Sequence, residues 1–205
     1  MQKIYIVDDD PAIRESLQYL LQADGYQVEL FACGSTFLQQ CNNNMVGCVI
    51  LDLRMPVLSG LEVQTQMKNK CCTLPIIFLT GHGDTQTAIT AMKRGAVDFF
   101  TKPFRTEELL AAVHQATNQS QSRYMNYQEL ASINARLDRL TDRELEVMNE
   151  VLTGKLNKVI AADLGIGMKT VEIHRSRVMK KMGVRTLADL VKTMFRYEEL
   201  SKSCA

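Results

Sequence analysis

Lys3-Ile4-Tyr5-Ile6-Val7-Asp8-Asp9-Asp10-Pro11 sets the reading of the first half of the chain. A β-branched, apolar run suited to a buried strand breaks into three successive carboxylates. Asp10 then supplies a helix N-cap and Pro11 the first helical position. Ile13, Leu17, Leu20 and Leu21 follow on one helical face. The unit is therefore strand, acidic turn, helix. The rhythm recurs through the first 116 residues, with strand-like runs at 4–7, 28–31, 48–51, 76–79 and 97–100 and segments of helical length between them. Such alternation predicts a parallel sheet covered by helices on both faces.

The ends of these strands carry polar groups of one kind of chemistry. Strand 1 ends in Asp8-Asp9, strand 3 in Asp52 and strand 4 in Thr80, and strand 5 is followed by Lys102-Pro103. Ligands of open parallel sheets bind at the carboxyl ends of the strands, near the switch in strand order. Three carboxylates brought together repel unless their pKa values rise or a cation joins them. A hard divalent ion such as Mg²⁺, or Mn²⁺, suits that oxygen-rich set. Asp52 would then be free to attack phosphorus and form an acyl phosphate. The metal and Lys102 would neutralise the oxygens, and Thr80 would bond one of them. Asp10 is read as the helix cap and not as a ligand, and His82 as a loop residue tuning access.

Beyond the last strand the composition changes. Residues 117–121 are rich in Asn, Gln and Ser, and 124–140 is polar with scattered Leu130, Ile133, Leu137 and Leu140, which reads as an extended helix and linker. No strand signal follows. Thr141-Asp142-Arg143-Glu144 is a capping box opening a helix that ends near Thr153, with Gly154 as its left-handed terminator. A second helix is expected over 157–164 and a Gly165-Ile166-Gly167 turn after it. A third is expected over 168–182, ended by Gly183, and a fourth is capped by Thr186 with Leu187, Leu190, Val191 and Met194 on its inner face.

Two helices joined by a tight glycine turn form a helix-turn-helix candidate. On the third helix Val171, His174 or Arg175, Val178 and Met182 form an inward stripe, and Lys169, Glu172, Ile173, Ser176 and Lys180 the outward one. Basic margins for phosphates and short or accepting side chains between them suit a DNA groove. Glu172 could accept from cytosine N4 or repel phosphates and sharpen discrimination.

Bulk properties agree. The 205 residues suffice for two cores, and 46% apolar with 23% charged content is ordinary for a globular protein. Residues 1–123 carry 10 Lys/Arg against 12 Asp/Glu, whereas 136–205 carry 14 against 10. That tilt favours a nucleic-acid-facing second half. With no signal-peptide core and no apolar stretch near 18 residues, a cytoplasmic protein without membrane attachment is expected. The cysteines Cys33, Cys41, Cys48, Cys71, Cys72 and Cys204 show no C-x-x-C or metal-ligand spacing and read as reduced, mostly small buried hydrophobes.

Val7-Asp8-Asp9, Leu51-Asp52-Leu53-Arg54-Met55-Pro56 with Ser59-Gly60, Leu79-Thr80-Gly81 and Phe99-Phe100-Thr101-Lys102-Pro103-Phe104 together resemble a bacterial receiver domain along its whole length. The resemblance implies a flavodoxin-like (βα)5 fold over residues 2–117 and a cis Lys102-Pro103 bond. It also implies Mg²⁺ held by Asp8, Asp9, Asp52 and the backbone carbonyl of Arg54. Asp52 becomes the phosphoacceptor, Thr80 and Lys102 the phosphoryl contacts, and Phe99 an aromatic that moves inward with Thr80. Leu140 to Val147, Gly154, 157–161, 164–166, 170–175 and 181–184 are similar to the LuxR-type helix-turn-helix of FixJ-like response regulators.

The second resemblance implies a smaller four-helix, all-α domain over 137–202, with its motif at about 157–176, reached through 118–136. Its implied DNA contacts are Lys169, Thr170, Glu172, Ile173, His174, Arg175, Ser176, Arg177 and Lys180. Gly167 departs from the family's usual Ser or Thr cap, at a cost of a few tenths of a kcal/mol. The combined expectation is a two-component transcriptional regulator, phosphorylated by a sensor histidine kinase. It would dimerise on promoter DNA, contact RNA polymerase and activate transcription, with no enzymatic role beyond Mg²⁺-dependent self-phosphorylation and slow self-dephosphorylation.

Competing readings are weaker. A dehalogenase-type phosphatase would need an acid two residues after Asp52, where Arg54 stands. A flavodoxin-like cofactor binder would need a Gly-rich loop where Asp8-Asp9-Asp10 stands. A DNA-binding regulator whose receiver answers to partners or oxidation without phosphate would rest on Cys71-Cys72 alone.

Overall fold

The computed structural model describes residues 2–81 and 85–203. His82 and Cys204 lie outside them. The chain divides into two compact units, residues 1–124 and 125–205.

The first unit is a five-stranded parallel sheet in the order β2-β1-β3-β4-β5. The strands are β1 (Lys3–Val7), β2 (Gln27–Phe31), β3 (Cys48–Leu51), β4 (Ile76–Thr80) and β5 (Asp98–Thr101). The central runs are apolar at every position because both faces are covered. Ile4, Ile6, Cys48, Ile50, Ile77 and Leu79 face one core, closed by Leu17 and Leu21 of α1 (Pro11–Ala23) and Leu109 and Val113 of α5 (Thr106–Leu137). The alternate residues Tyr5, Val7, Val49, Leu51, Ile76 and Phe78 face the other. That core is closed by α2 (Gly34–Gln40), α3 (Gly60–Asn69) and α4 (Thr85–Lys93) through Phe37, Val63, Met67 and Ala91.

Local chemistry sets the boundaries. Asp10 caps α1 by accepting the N–H of Ala12, with Pro11 at the first helical position. Ser59 and Glu62 form a capping box at the start of α3. At Gly60 a Cβ would stand 2.4 Å from the carbonyl oxygen of Asp52, so glycine alone lets α3 begin against the end of β3. His114 fastens α5 to the end of α1, its Nδ1 2.7 Å from the Tyr26 hydroxyl and its Nε2 3.1 Å from Asp24. The Lys102-Pro103 bond is cis.

The polar tract 117–121 does not interrupt α5, a single helix of 32 residues. In the second unit its last turns contribute Ile133 and Leu137 to the interior. Around them pack α6 (Asp142–Leu152), α7 (Asn157–Leu164), α8 (Met168–Met182) and α9 (Leu187–Ser203). Their core is Val147, Met148, Val151, Ile160, Val171, Val178, Met182 and Leu190. Thr141 and Glu144 form the expected capping box, and Gly165 and Gly183 end α7 and α8 in left-handed conformation. Gly167 caps α8 with extended backbone and no side-chain bond.

One face differs from expectation. Leu190 and Met194 of α9 turn inward, but Leu187 and Val191 are 37% and 44% exposed and continue outward to Phe195 at 62%. Two apolar lines run along this helix, and the neighbouring helices accept only one. Among the described residues no helix is long and apolar enough to cross a membrane.

Candidate functional site

The strand order reverses between β1 and β3, so β1 sits with β2 on one side and β3 on the other. The polar groups converge there, at the carboxyl ends. Asp8 follows β1 and is 3% exposed; Asp52 follows β3 and is 6% exposed. Their backbones are pinned by the sheet, since the Asp52 N–H donates to the Val7 carbonyl at 2.8 Å and the Asp8 N–H to that of Phe31 at 3.2 Å. Lys102 arrives from β5, its N–H bonded to the Thr80 carbonyl at 2.8 Å. Its Nζ lies 2.7 Å from Asp8 Oδ2 and 3.5 Å from Asp52 Oδ1. Residues 94 positions apart thus meet in one ion pair.

The remaining oxygens are also engaged. Asp8 Oδ1 accepts the N–H of Asp10 at 2.9 Å, and Asp52 Oδ2 that of Arg54 at 2.7 Å. The Asp52 carboxyl lies above its ordinary range, chiefly because it is buried and further because Asp8 is near. The Arg54 amide and then Lys102 act against that rise without cancelling it. Asp52 is therefore an anion short of counter-charge, held rigidly at a sheet edge. Such a carboxylate gains from added positive charge and is a competent oxygen nucleophile.

The other predicted positions surround this pair. Thr80 is buried at the end of β4. Asp9 and Arg54 are exposed beside it. Phe99 is half-buried on β5, its ring centroid 6.4 Å from that of Phe78. Two contributors escaped the sequence reading. Arg14 donates from the first turns of α1 to the Asp8 carbonyl at 2.6 Å, and the Arg54 amide grips the Asp52 carboxylate. Arg14 had a legible signal in being the first base after the acidic turn; the amide had none.

Among the described residues no group of three or more His, Cys, Asp or Glu is gathered as a metal site. Asp8 is turned onto Lys102 and Asp9 stands in solvent. The donor chemistry nonetheless fits a hard divalent cation: an all-oxygen set around a carboxylate whose ionisation is opposed by burial.

In the second unit α8 presents Lys169, Thr170, Glu172, Ile173, Ser176, Arg177 and Lys180 to solvent. His174 and Arg175, of which one was expected on the inward stripe, are both half-buried. Arg175 turns back to Asn157 Oδ1 at 2.7 Å and so locks α8 against α7. The Nδ1 of His174 is buried without a hydrogen-bond partner. Three further bonds brace the helix pair. Arg143 donates to the Leu164 carbonyl at 2.7 Å, Arg136 to that of Met182 at 2.9 Å, and Lys181 pairs with buried Glu144 at 2.5 Å. The Lys181 ammonium, with the Thr141 N–H, holds the Glu144 carboxyl below its usual range. A cation-rich face on a braced helix is suited to a nucleic-acid groove.

Comparison with known proteins matches a family to each half of the chain. Residues 4–114 match the response regulator receiver domain, and 138–194 the bacterial regulatory proteins of the luxR family. The chain is 44% identical over 196 residues to the response regulator protein TodT of Pseudomonas putida, spanning 96% of this chain and 86% of that protein. It is 40% identical over 193 residues to the transcriptional regulatory protein FixJ of Bradyrhizobium diazoefficiens, spanning 94% of each. The solved structure of response regulator StyR superposes with a TM-score of 0.91 at 39% identity, covering 96% of this chain and 99% of that one. Receiver domains generally bind Mg²⁺ at their phosphorylation site, in keeping with the donor set found here. The chain belongs to the FixJ-like response regulators, and it is a phosphorylation-dependent transcriptional regulator of a two-component system.

Proposed function

We propose that Asp52 is the phosphoacceptor and that its phosphorylation pairs two copies of the chain on promoter DNA. The observation that carries this reading is the Asp8–Lys102–Asp52 cluster at the switch in strand order. A sensor histidine kinase is the donor: an Asp52 oxygen attacks phosphorus, the phosphorus–nitrogen bond of the phosphohistidine breaks, and its electron pair returns to the imidazole. Lys102 follows the new charge from Asp8 to a phosphoryl oxygen. Asp8, Asp9, Asp52 and the Arg54 carbonyl would hold Mg²⁺ or Mn²⁺. When bound, that cation neutralises the phosphoryl oxygens.

The Thr80 hydroxyl then bonds the phosphoryl group, and Phe99 moves into the space Thr80 leaves. This repacks the α4–β5 face, where Ile89 and Met92 already stand exposed at a spacing of three. In the second unit Lys169, Arg177 and Lys180 contact phosphates, Thr170, Glu172, Ile173 and Ser176 meet base edges, and Arg175 and His174 position the helix. The outward line Leu187-Val191-Phe195 on α9 supplies a self-pairing surface. The regulator acts in the cytoplasm and activates transcription by engaging RNA polymerase.

Acetyl phosphate with Mg²⁺ should raise both the dimer fraction, by analytical ultracentrifugation, and promoter affinity, by fluorescence anisotropy. Asp52→Ala should lose both gains. Equal gains in that variant would end the phosphorylation reading.

A further inference from the structure

At the opposite ends of the receiver strands from Asp52 lies a cleft of about 420 Å³, a volume ordinary for a small-molecule site. It opens between α3, the connection into β4, the turn between α4 and β5, and α5. Its walls are fixed by the fold. Gln64 of α3 donates from Nε2 to the Ala91 carbonyl of α4 at 3.2 Å, and the Val97 N–H donates to the Ile76 carbonyl at 2.8 Å. The floor is apolar, with Met67, Leu74, Ile76 and Ala96 lining it from the buried core.

The rim is cationic. Lys68 stands near the end of α3, Arg94 just after α4 and Arg123 on α5. Among the described residues no carboxylate lines the cleft, and none of these three cations forms an ion pair. Arg94 meets only neutral oxygens, its Nη1 3.4 Å from the Leu61 carbonyl and 3.4 Å from the Thr65 hydroxyl. Cations without counter-charge around one hollow attract an anion, and a guanidinium matches the geometry of a phosphate. Gln115 and Gln119 stand one and two turns before Arg123 on the same face of α5, offering amide donors and acceptors. Gln64 also lines the cleft, and its Oε1 is buried without a hydrogen-bond partner. A buried carbonyl oxygen of that kind calls for an N–H or O–H donor, which inorganic anions such as sulfate lack.

We infer that this cleft binds a nucleoside phosphate, with the phosphoryl oxygens on Lys68, Arg94 and Arg123 and the ring on the apolar floor. The phosphoryl groups supply the missing negative charge. The ring covers Leu74 and Ala96, and the polar edges of base and sugar meet the glutamines. A bare anion would satisfy the rim and leave the floor and the glutamines unused; an uncharged ring would do the reverse. Only a ligand carrying both parts uses the whole cleft.

The test is isothermal titration calorimetry on the full chain in EDTA, with ADP, inorganic pyrophosphate as the anion alone and adenosine as the ring alone. ADP should saturate one site per chain and bind at least about tenfold more tightly than either fragment. Arg94→Ala with Arg123→Ala should weaken ADP about tenfold or more, since each removes a charged hydrogen-bond donor. Gln119→Trp, which fills the cleft from an exposed helix position, should abolish binding. Thermal melts of these variants should match the wild type, because the three side chains are exposed. Lys169→Ala with Lys180→Ala should bind ADP as the wild type does. No saturation by ADP would overturn the proposal, as would equal affinity for pyrophosphate. Loss of binding in the Lys169, Lys180 variant with retention in the Arg94, Arg123 variant would place the nucleotide on α8 and overturn it too.

Discussion

Asp52 combines two properties that oppose each other in a folded protein: it is almost wholly buried, and as the proposed phosphoacceptor it would have to be ionised. Its carboxyl is raised by burial and by Asp8, so the native state holds its proton more tightly than the unfolded chain. By linkage, a raised acid costs stability as pH climbs through and above the ordinary aspartate value near 3.9, and costs nothing well below it. Asp52→Asn should therefore raise the receiver melting temperature at pH 7, with the advantage shrinking as pH falls below about 4. Mg²⁺ should raise the melting temperature of the wild type more than that of the variant. Calorimetry across pH and metal concentration checks both; a variant no more stable at pH 7 than the wild type would contradict this account of the site. Positions such as Asp8, Thr80 and Lys102 were legible as strand-end residues, whereas the Arg54 amide on Asp52 was not. The cysteines teach the same lesson. Adjacency in sequence singled out Cys71-Cys72, yet neighbouring residues there diverge: Cys71 is exposed and Cys72 is buried.

Among the elements, the strands were the easiest to read, since a run buried on both faces is apolar throughout and ends abruptly in charge. Helices α7 and α8 were bounded by Gly165 and Gly183, whose left-handed backbones stop a helix for steric reasons visible in one residue. The face of α9 was not readable. Leu187-Val191-Phe195 and Leu190-Met194 each recur at helical spacing, and periodicity cannot say which line meets the core. The structure buries the second and leaves the first exposed. Replacing Val191 and Phe195 together by Lys should leave the thermal melt nearly unchanged, since surface changes stay within about 0.5 kcal/mol. Affinity for a two-half-site promoter should fall about tenfold or more, with little effect on a single half-site. Equal losses on both DNAs would mean that α9 contacts DNA and does not pair copies.

At the scale of the whole chain, charge is divided between the units: residues 1–123 are slightly acidic and 136–205 basic. Binding through the basic half releases counterions, with a slope of about 0.9 in log affinity against log salt for each phosphate neutralised. Lys169→Ala with Lys180→Ala should weaken binding to specific and unrelated DNA alike and reduce that slope by about 2. Anisotropy titrations at several salt concentrations measure it, and an unaltered slope would remove α8's basic margins from the interface.

The sequence by itself determined the order of elements, the parallel sheet, the helical second half and the polar residues that gather at the strand ends. These follow from local rules of burial period, capping and turn conformation, which act over a few residues. Only the tertiary structure decided that Lys102 rests on Asp8 ahead of Asp52, that Arg175 braces α7, and that α9 leaves one apolar line outside. Each of those is a choice among partners distant in sequence. Such choices are made by the packing of whole elements, to which no local pattern has access.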